Sequence, residues 1–259
     1  MDTSLPIFFA HANGFPANAY RYFFQCLAPH PVEAIPVLGT APYQIQSNWH
    51  PVAQQVFDTL SQQKQRPVIG LGHSLGAVVL LRVAHLYPHL FSHLILLDPP
   101  LFGWKRRYAL AFARSIGLAH RMVPIAKQAY RRRDQFKDID EARQYWAGKK
   151  FFQSFHSECF EDYVQASLVP YEAGGLTLRI PKKMEGDFFT LTPWRAVPTQ
   201  VSMPAHYIIP AGRGVLSKSE KEALPTRFPD FEIHTLSGGH MFPLEKPDET
   251  ADFIKSLIH

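Results

Sequence analysis

The pentapeptide Gly72-His73-Ser74-Leu75-Gly76 constrains this chain more than any other feature, because of what flanks it. Before it runs Pro67-Val68-Ile69-Gly70-Leu71, an apolar stretch of strand character. After it runs Ala77-Val78-Val79-Leu80-Leu81, an apolar stretch that continues as a helix. A strand that passes directly into a helix needs a sharp, strained turn, which crowds the positions two before and two after its apex. Glycine stands at both. The same turn lifts the apex side chain, Ser74, out of the sheet at a helix N-terminus. A serine hydroxyl is a weak nucleophile until it is presented to a base, and a turn of this kind makes that presentation.

The rest of the chain supplies the sheet. Leu5 to Ala12 is a short continuous apolar run, the pattern of a strand buried on both faces. Asn18 to Leu27 reads as a helix. The stretch around Val32 to Leu38 reads as a strand that Pro36 pushes towards an edge. From Ser47, a plausible cap, to Gln62, the residues Trp49, Val52, Ala53, Val56, Phe57 and Leu60 recur at helical spacing. Pro67 to Gly72 is a strand, Leu75 to Leu86 a helix, and His93 to Asp98 a strand closed by Pro99 and Pro100. Strands recur again at Ala205 to Pro210 and Phe231 to Leu236, with helices near Ser217 to Ala223 and from about Pro247 to Ile258. Alternation of this kind predicts an α/β fold, a mainly parallel sheet with helices on both faces.

Between Gly103 and about Thr190 the alternation stops and the pattern is mostly helical. This predicts an inserted helical cap over 103–190 on a core made of 1–102 and 191–259. The basic excess sits there. Residues 103–190 hold 16 of the 27 Lys+Arg but only 10 of the 22 Asp+Glu, and residues 104–133 carry nine Lys+Arg with no acid. Interleaved Trp104, Tyr108, Leu110, Phe112, Ile116, Leu118, Met122, Val123 and Ile125 give those helices an apolar side. The pattern suits an anionic partner, such as an acyl-CoA, a phosphorylated ester or an anionic lipid surface met peripherally; a solvated outer face is the plainer alternative. No nucleic-acid-binding signature accompanies the charge. Neither a basic leader nor an apolar run long enough to span a bilayer is present, and the two cysteines, Cys26 and Cys159, lack metal-ligand spacing. These features predict a cytoplasmic enzyme with no cofactor and no metal, and leave its oligomeric state open.

A base for Ser74 is offered by His240, which follows the last apolar strand on the glycine-rich loop Ser237-Gly238-Gly239-His240. Imidazole takes and returns a proton near neutrality. With the Gly72–Gly76 turn, the His11-Ala12-Asn13-Gly14-Phe15-Pro16-Ala17 segment and the late Gly-Gly-His, the chain resembles the α/β hydrolases over nearly its whole length. The resemblance implies a nucleophile, an acid and a histidine in that order. The family's first two strands are missing here, which implies a sheet of about six strands. Where the commonest family arrangement places the acid, this chain has Val215. Asp98, at the end of the preceding core strand, stands where a minority of these hydrolases carry it, with Glu220 or Glu222 as rivals and a mere turn-capping role as the alternative.

For the developing oxyanion the turn itself provides Leu75 N–H, and the resemblance implies a second backbone donor from Phe15, with Asn13 as rival. His11 reads as a brace for its loop. The serine at the apex excludes relatives that attack carbon with a carboxylate. It leaves ester or thioester hydrolysis first, then lactone or C–C bond hydrolysis, or a non-catalytic binding protein that keeps the fold. Phe151, Phe152, Phe155, Phe188 and Phe189 could line an acyl pocket or form the core of the cap.

Overall fold

The structure is a computed structural model and describes residues 4–46, 48–63, 67–191 and 198–258. It opens with β1 (Ile7–Ala10), a 3-10 turn (Ala17–Tyr20), α1 (Arg21–Cys26) and β2 (Val32–Ala34). Next come α2 (His50–Gln62), β3 (Val68–His73), α3 (Leu75–Leu86) and β4 (Phe91–Leu97). Helix α2 begins at His50, with Pro51 in its first turn, where a missing N–H costs nothing. The expected cap, Ser47, lies outside the described residues.

After β4 the chain leaves the sheet. It forms α4 (Trp104–Ser115), α5 (Ala119–Met122), α6 (Pro124–Arg131), β5 (Gln135–Phe136), α7 (Ile139–Ala147), α8 (Ser157–Ala166), β6 (Leu168–Pro170), β7 (Leu176–Leu178) and α9 (Lys182–Thr190). The core resumes with β8 (Ala205–Pro210), α10 (Lys218–Glu222), α11 (Leu224–Arg227), β9 (Glu232–Leu236), α12 (Phe242–Glu245) and α13 (Pro247–Ser256).

Six strands form one parallel sheet in the order β2-β1-β3-β4-β8-β9. Strand β2 is at the edge, as Pro36 implies. Successive residues of a strand point to opposite faces, and the core divides accordingly. Phe8, Leu94 and Leu96 pack with Val52, Val56 and Leu60 of α2 on one side. Ile7, Phe9, Ile95 and Leu97 pack with Phe23 of α1 and Ile254 of α13 on the other. Every residue of β3 is buried, which suits a central strand covered on both faces.

The segment between β4 and β8 differs from its expectation in one respect. It carries a small antiparallel sheet, β5-β7-β6, besides its helices. Those strands are two or three residues long, too short for an alternating pattern to register in sequence.

Candidate active site

Ser74 caps α3 with φ 53° and ψ −114°, a left-handed backbone that a non-glycine residue adopts only under constraint. The constraint is visible on both sides. Ser74 N–H donates to the Leu97 carbonyl at 2.9 Å, and Gly76 N–H donates to the His11 carbonyl at 3.1 Å. A Cβ on Gly72 would sit 2.5 Å from Ala77 Cα, and one on Gly76 would sit 2.1 Å from the Ala10 carbonyl oxygen. The glycines therefore let strand, turn and helix close on one another. Ser74 emerges where β3 meets the N-terminal, electropositive end of α3.

His240 reaches the serine from the loop after β9. Its Nε2 lies 3.1 Å from Ser74 Oγ, and its Nδ1 lies 2.6 Å from Asp98 Oδ2. A carboxylate only accepts, so Nδ1 carries the proton and the Nε2 lone pair faces the serine hydroxyl. Three contacts hold the ring's loop. His240 N–H donates to the Arg213 carbonyl at 2.9 Å, and the His240 carbonyl accepts from His73 Nε2 at 2.9 Å. His73 Nδ1 in turn accepts from the Tyr20 hydroxyl at 2.7 Å. Burial drives the His73 pKa well below its ordinary value, with the nearby His240 charge adding to the effect. The residue beside Ser74 is thus a neutral strut.

Asp98 is fully buried and has φ 40°. Its carboxylate crosses from the end of β4 to the loop after β8, where Val215 N–H donates to Oδ2 at 3.1 Å. Gly214 makes the room: a Cβ there would lie 2.9 Å from Oδ2 and 3.1 Å from Oδ1. The rival acids are held elsewhere. Glu220 closes a capping box with Ser217 and accepts from Gly103 N–H, and Glu222 lies 3.9 Å from Lys218.

The expected oxyanion donors, Phe15 N–H and Leu75 N–H, differ in their surroundings. Phe15 N–H donates to the Ala12 carbonyl at 3.2 Å, because residues 12–15 fold into a turn with Gly14 at φ 80°. That donor is spent within its own turn. Leu75 N–H, at the first position of α3, belongs to the group of helix N–H donors that have no intrahelical acceptor. His11 braces the loop as expected. Its Nδ1 donates to the Ala12 carbonyl at 2.8 Å and its Nε2 accepts from Leu38 N–H at 2.8 Å, while burial lowers its pKa to about 4.

The inserted segment sits on this loop. Asn13 Nδ2 donates to the Glu185 carbonyl of α9 at 2.9 Å, and Arg132 bridges Glu185 at 2.5 Å and the Tyr163 hydroxyl at 2.8 Å. Sequence reading did not single out Arg132 and Glu185, because no local pattern joins residues 53 positions apart. The phenylalanines divide. Phe155 is buried against Phe15 and Phe152, Phe188 packs on Trp49, and Phe151 is 52% exposed. Phe155 and Phe188 thus belong to packed cores.

A serine on a strand-to-helix turn at the C-terminal edge of a parallel sheet, facing a histidine and a buried carboxylate, is the arrangement of the α/β hydrolases. The chain belongs to the alpha/beta hydrolase family, whose family model matches residues 7–253. It is similar to a type I acyl-CoA thioesterase of Penicillium brevicompactum, 49% identical over 37 residues. That stretch is 14% of this chain and 8% of the relative. Among solved structures it resembles E-2-(acetamidomethylene)succinate hydrolase, with a TM-score of 0.76 and 18% identity over 98% of this chain and 91% of that one. It also resembles the thioesterase domain from the curacin biosynthetic pathway, with a TM-score of 0.76 and 15% identity over 97% and 91%. The peroxisomal alpha-beta-hydrolase of Saccharomyces cerevisiae gives 0.73 and 17% over 99% and 76%. At such identities the likeness is one of fold. No helix among the described residues is long and apolar enough to cross a membrane.

Proposed function

We propose that this chain is a serine hydrolase that cleaves a carboxylic ester or thioester through an acyl-enzyme on Ser74. The observation that carries this reading is the unbroken line of hydrogen bonds from Ser74 through His240 to Asp98. His240 Nε2 takes the Ser74 proton as Oγ attacks the carbonyl carbon, and Asp98 stabilises the imidazolium that forms. The oxyanion is held by Leu75 N–H and by Asn13 N–H, which we favour over the engaged Phe15 N–H. As the tetrahedral intermediate collapses, His240 returns the proton to the departing oxygen or sulfur. Water then enters, His240 deprotonates it, and the same steps release the acid and restore Ser74. Residues 103–190 act as a cap, resting on the oxyanion loop through Asn13 and Glu185.

The short similarity to acyl-CoA thioesterases favours the thioester arm. A fluorophosphonate probe tests the nucleophile: labelling is expected once, on the peptide containing Ser74, and abolished in Ser74→Ala. Labelling elsewhere in folded protein, or none, would replace this reading with that of a ligand-binding member of the fold. A panel of p-nitrophenyl esters beside acyl-CoA thioesters separates the two arms.

We assign the outer face of α4 to an anionic lipid surface. Trp104, Tyr108, Phe112 and Ile116 recur every four residues and are 62%, 68%, 66% and 50% exposed, while Ala113 faces inward. A small anion such as a phosphorylated ester cannot cover four large side chains, whereas a basic helix with an aromatic face matches a lipid interface. Cosedimentation with phosphatidylcholine vesicles containing phosphatidylserine is expected. It should weaken at high salt and be lost in Trp104→Ser/Phe112→Ser. Equal pelleting of that variant would overturn the assignment.

A further inference from the structure

On β8 and the edge strand β9, separated from the Ser74 turn by β4, lies a second cluster, which serine chemistry does not use. Among the described residues, His206, Glu232 and His234 form a group of three metal-donor side chains whose donor atoms converge. The register places them together. His206 of β8 pairs with Glu232 of β9, and His234 follows two residues on, so all three side chains share one face of the two strands.

We propose that His206 Nδ1, His234 Nε2 and Glu232 Oε2 bind a divalent metal ion, zinc by geometry and donor set. The two nitrogens are 3.2 Å apart and each lies 3.6 Å from the same carboxylate oxygen. Tetrahedral zinc with bonds of 2.0–2.1 Å separates its donors by about 3.3–3.4 Å, whereas an octahedral ion at similar bond lengths would need about 3.0 Å. A point about 2 Å from all three atoms lies between them, the length of a zinc bond to imidazole or carboxylate. The competing arrangement, a histidine pair joined by one hydrogen bond, leaves the shared oxygen unexplained, since at 3.6 Å it accepts from neither ring. Three protein ligands leave the fourth position to water or an outside donor.

Burial suits the role. The imidazoles are 7% and 21% exposed, held by the sheet, while the Glu232 side chain is 72% exposed and free to close on an arriving ion. The ion would tie the edge strand β9 to β8, and thereby stabilise the strand whose far end carries His240. Only strand register joins His206 to Glu232 and His234, so no sequence motif announces the trio.

The test uses the whole chain, freed of metal by chelation, and reads binding rather than hydrolysis. Titration with zinc is expected to saturate at one ion per chain and to raise Tm, and cobalt should give the intense visible band of a tetrahedral site. His234→Gln should remove the band, and Glu232→Gln, at an exposed position that leaves folding untouched, should weaken binding by more than about tenfold. Hydrolysis by the metal-free protein should match the wild type in the Glu232→Gln variant. Absence of saturable binding by either metal would overturn the proposal. So would binding that survives both substitutions, or that is lost in His240→Ala instead, which would place the ion at the hydrolytic site.

Discussion

At the scale of single residues, the assignment of the acid makes a sharp prediction. Asp98→Asn should lower kcat by roughly 10²- to 10⁴-fold with the fold retained, because the imidazolium loses its anion and its tautomer is no longer fixed. Glu220→Gln and Glu222→Gln should leave kcat near wild type, and a reversed outcome would move the acid. Gly214→Ala offers an independent check, since its methyl would lie 2.7 Å from Pro210 Cγ and press on both carboxylate oxygens at 2.9 and 3.1 Å. It should reduce kcat and lower Tm together. Ser74 and His240 were legible in sequence because each sits in a local motif. The perch of Asp98 was legible only as one of several acids, and the direction of Phe15 N–H was not legible at all, since it depends on how residues 12–15 turn.

At the scale of elements, the strands and helices of the core were readable from apolar runs and helical spacing, with errors of a few residues at their ends. The outward aromatic face of α4 was not. Spacing revealed that the helix had an apolar side, but only packing decides which side meets the protein. The contact between α9 and the turn at residues 12–15 was also hidden, and it supports a further prediction. Arg132 is largely buried between Glu185 and Tyr163. Arg132→Gln strands the Glu185 charge and should cost roughly 3 kcal/mol of stability by denaturant unfolding, the lower end of the range for broken buried ion pairs. It should also lower kcat, through looser placement of Asn13, and Arg132→Lys should recover part of both. Loss of stability with unchanged kcat would show that the pair holds the insertion without positioning the loop.

At the scale of the molecule, two neutral histidines sit beside the nucleophile turn, and they give the whole fold a pH dependence. His11 has a folded pKa of about 4 against 6.5 in the open chain, and His73 is displaced in the same direction. Above pH 6.5 both states are neutral and the full stability is present. As pH falls below 6.5 the unfolded chain takes up protons that the folded chain refuses, so stability declines. For His11 the decline ends near pH 4. Each such histidine contributes a slope of about 1.4 kcal/mol per pH unit in that window. Urea midpoints measured from pH 7 to 4.5 should therefore fall, and His11→Gln should flatten the profile. An unchanged slope in that variant would mean that His11 titrates normally.

The carboxylate that Asp98 lends to His240 reaches across a strand boundary. Its backbone donor, Val215, is 117 positions away, and the entire insertion lies between them. Serine and acid are therefore on the N-terminal side of the insertion and the histidine is on the C-terminal side. Cohesion between β4 and β8, rather than continuity of the backbone, keeps the three in register. A chain cut once within a loop of the insertion would become two complementary fragments. Neither would hold all of Ser74, Asp98 and His240, and on the proposed function their recombined activity would report directly on pairing at the centre of the sheet.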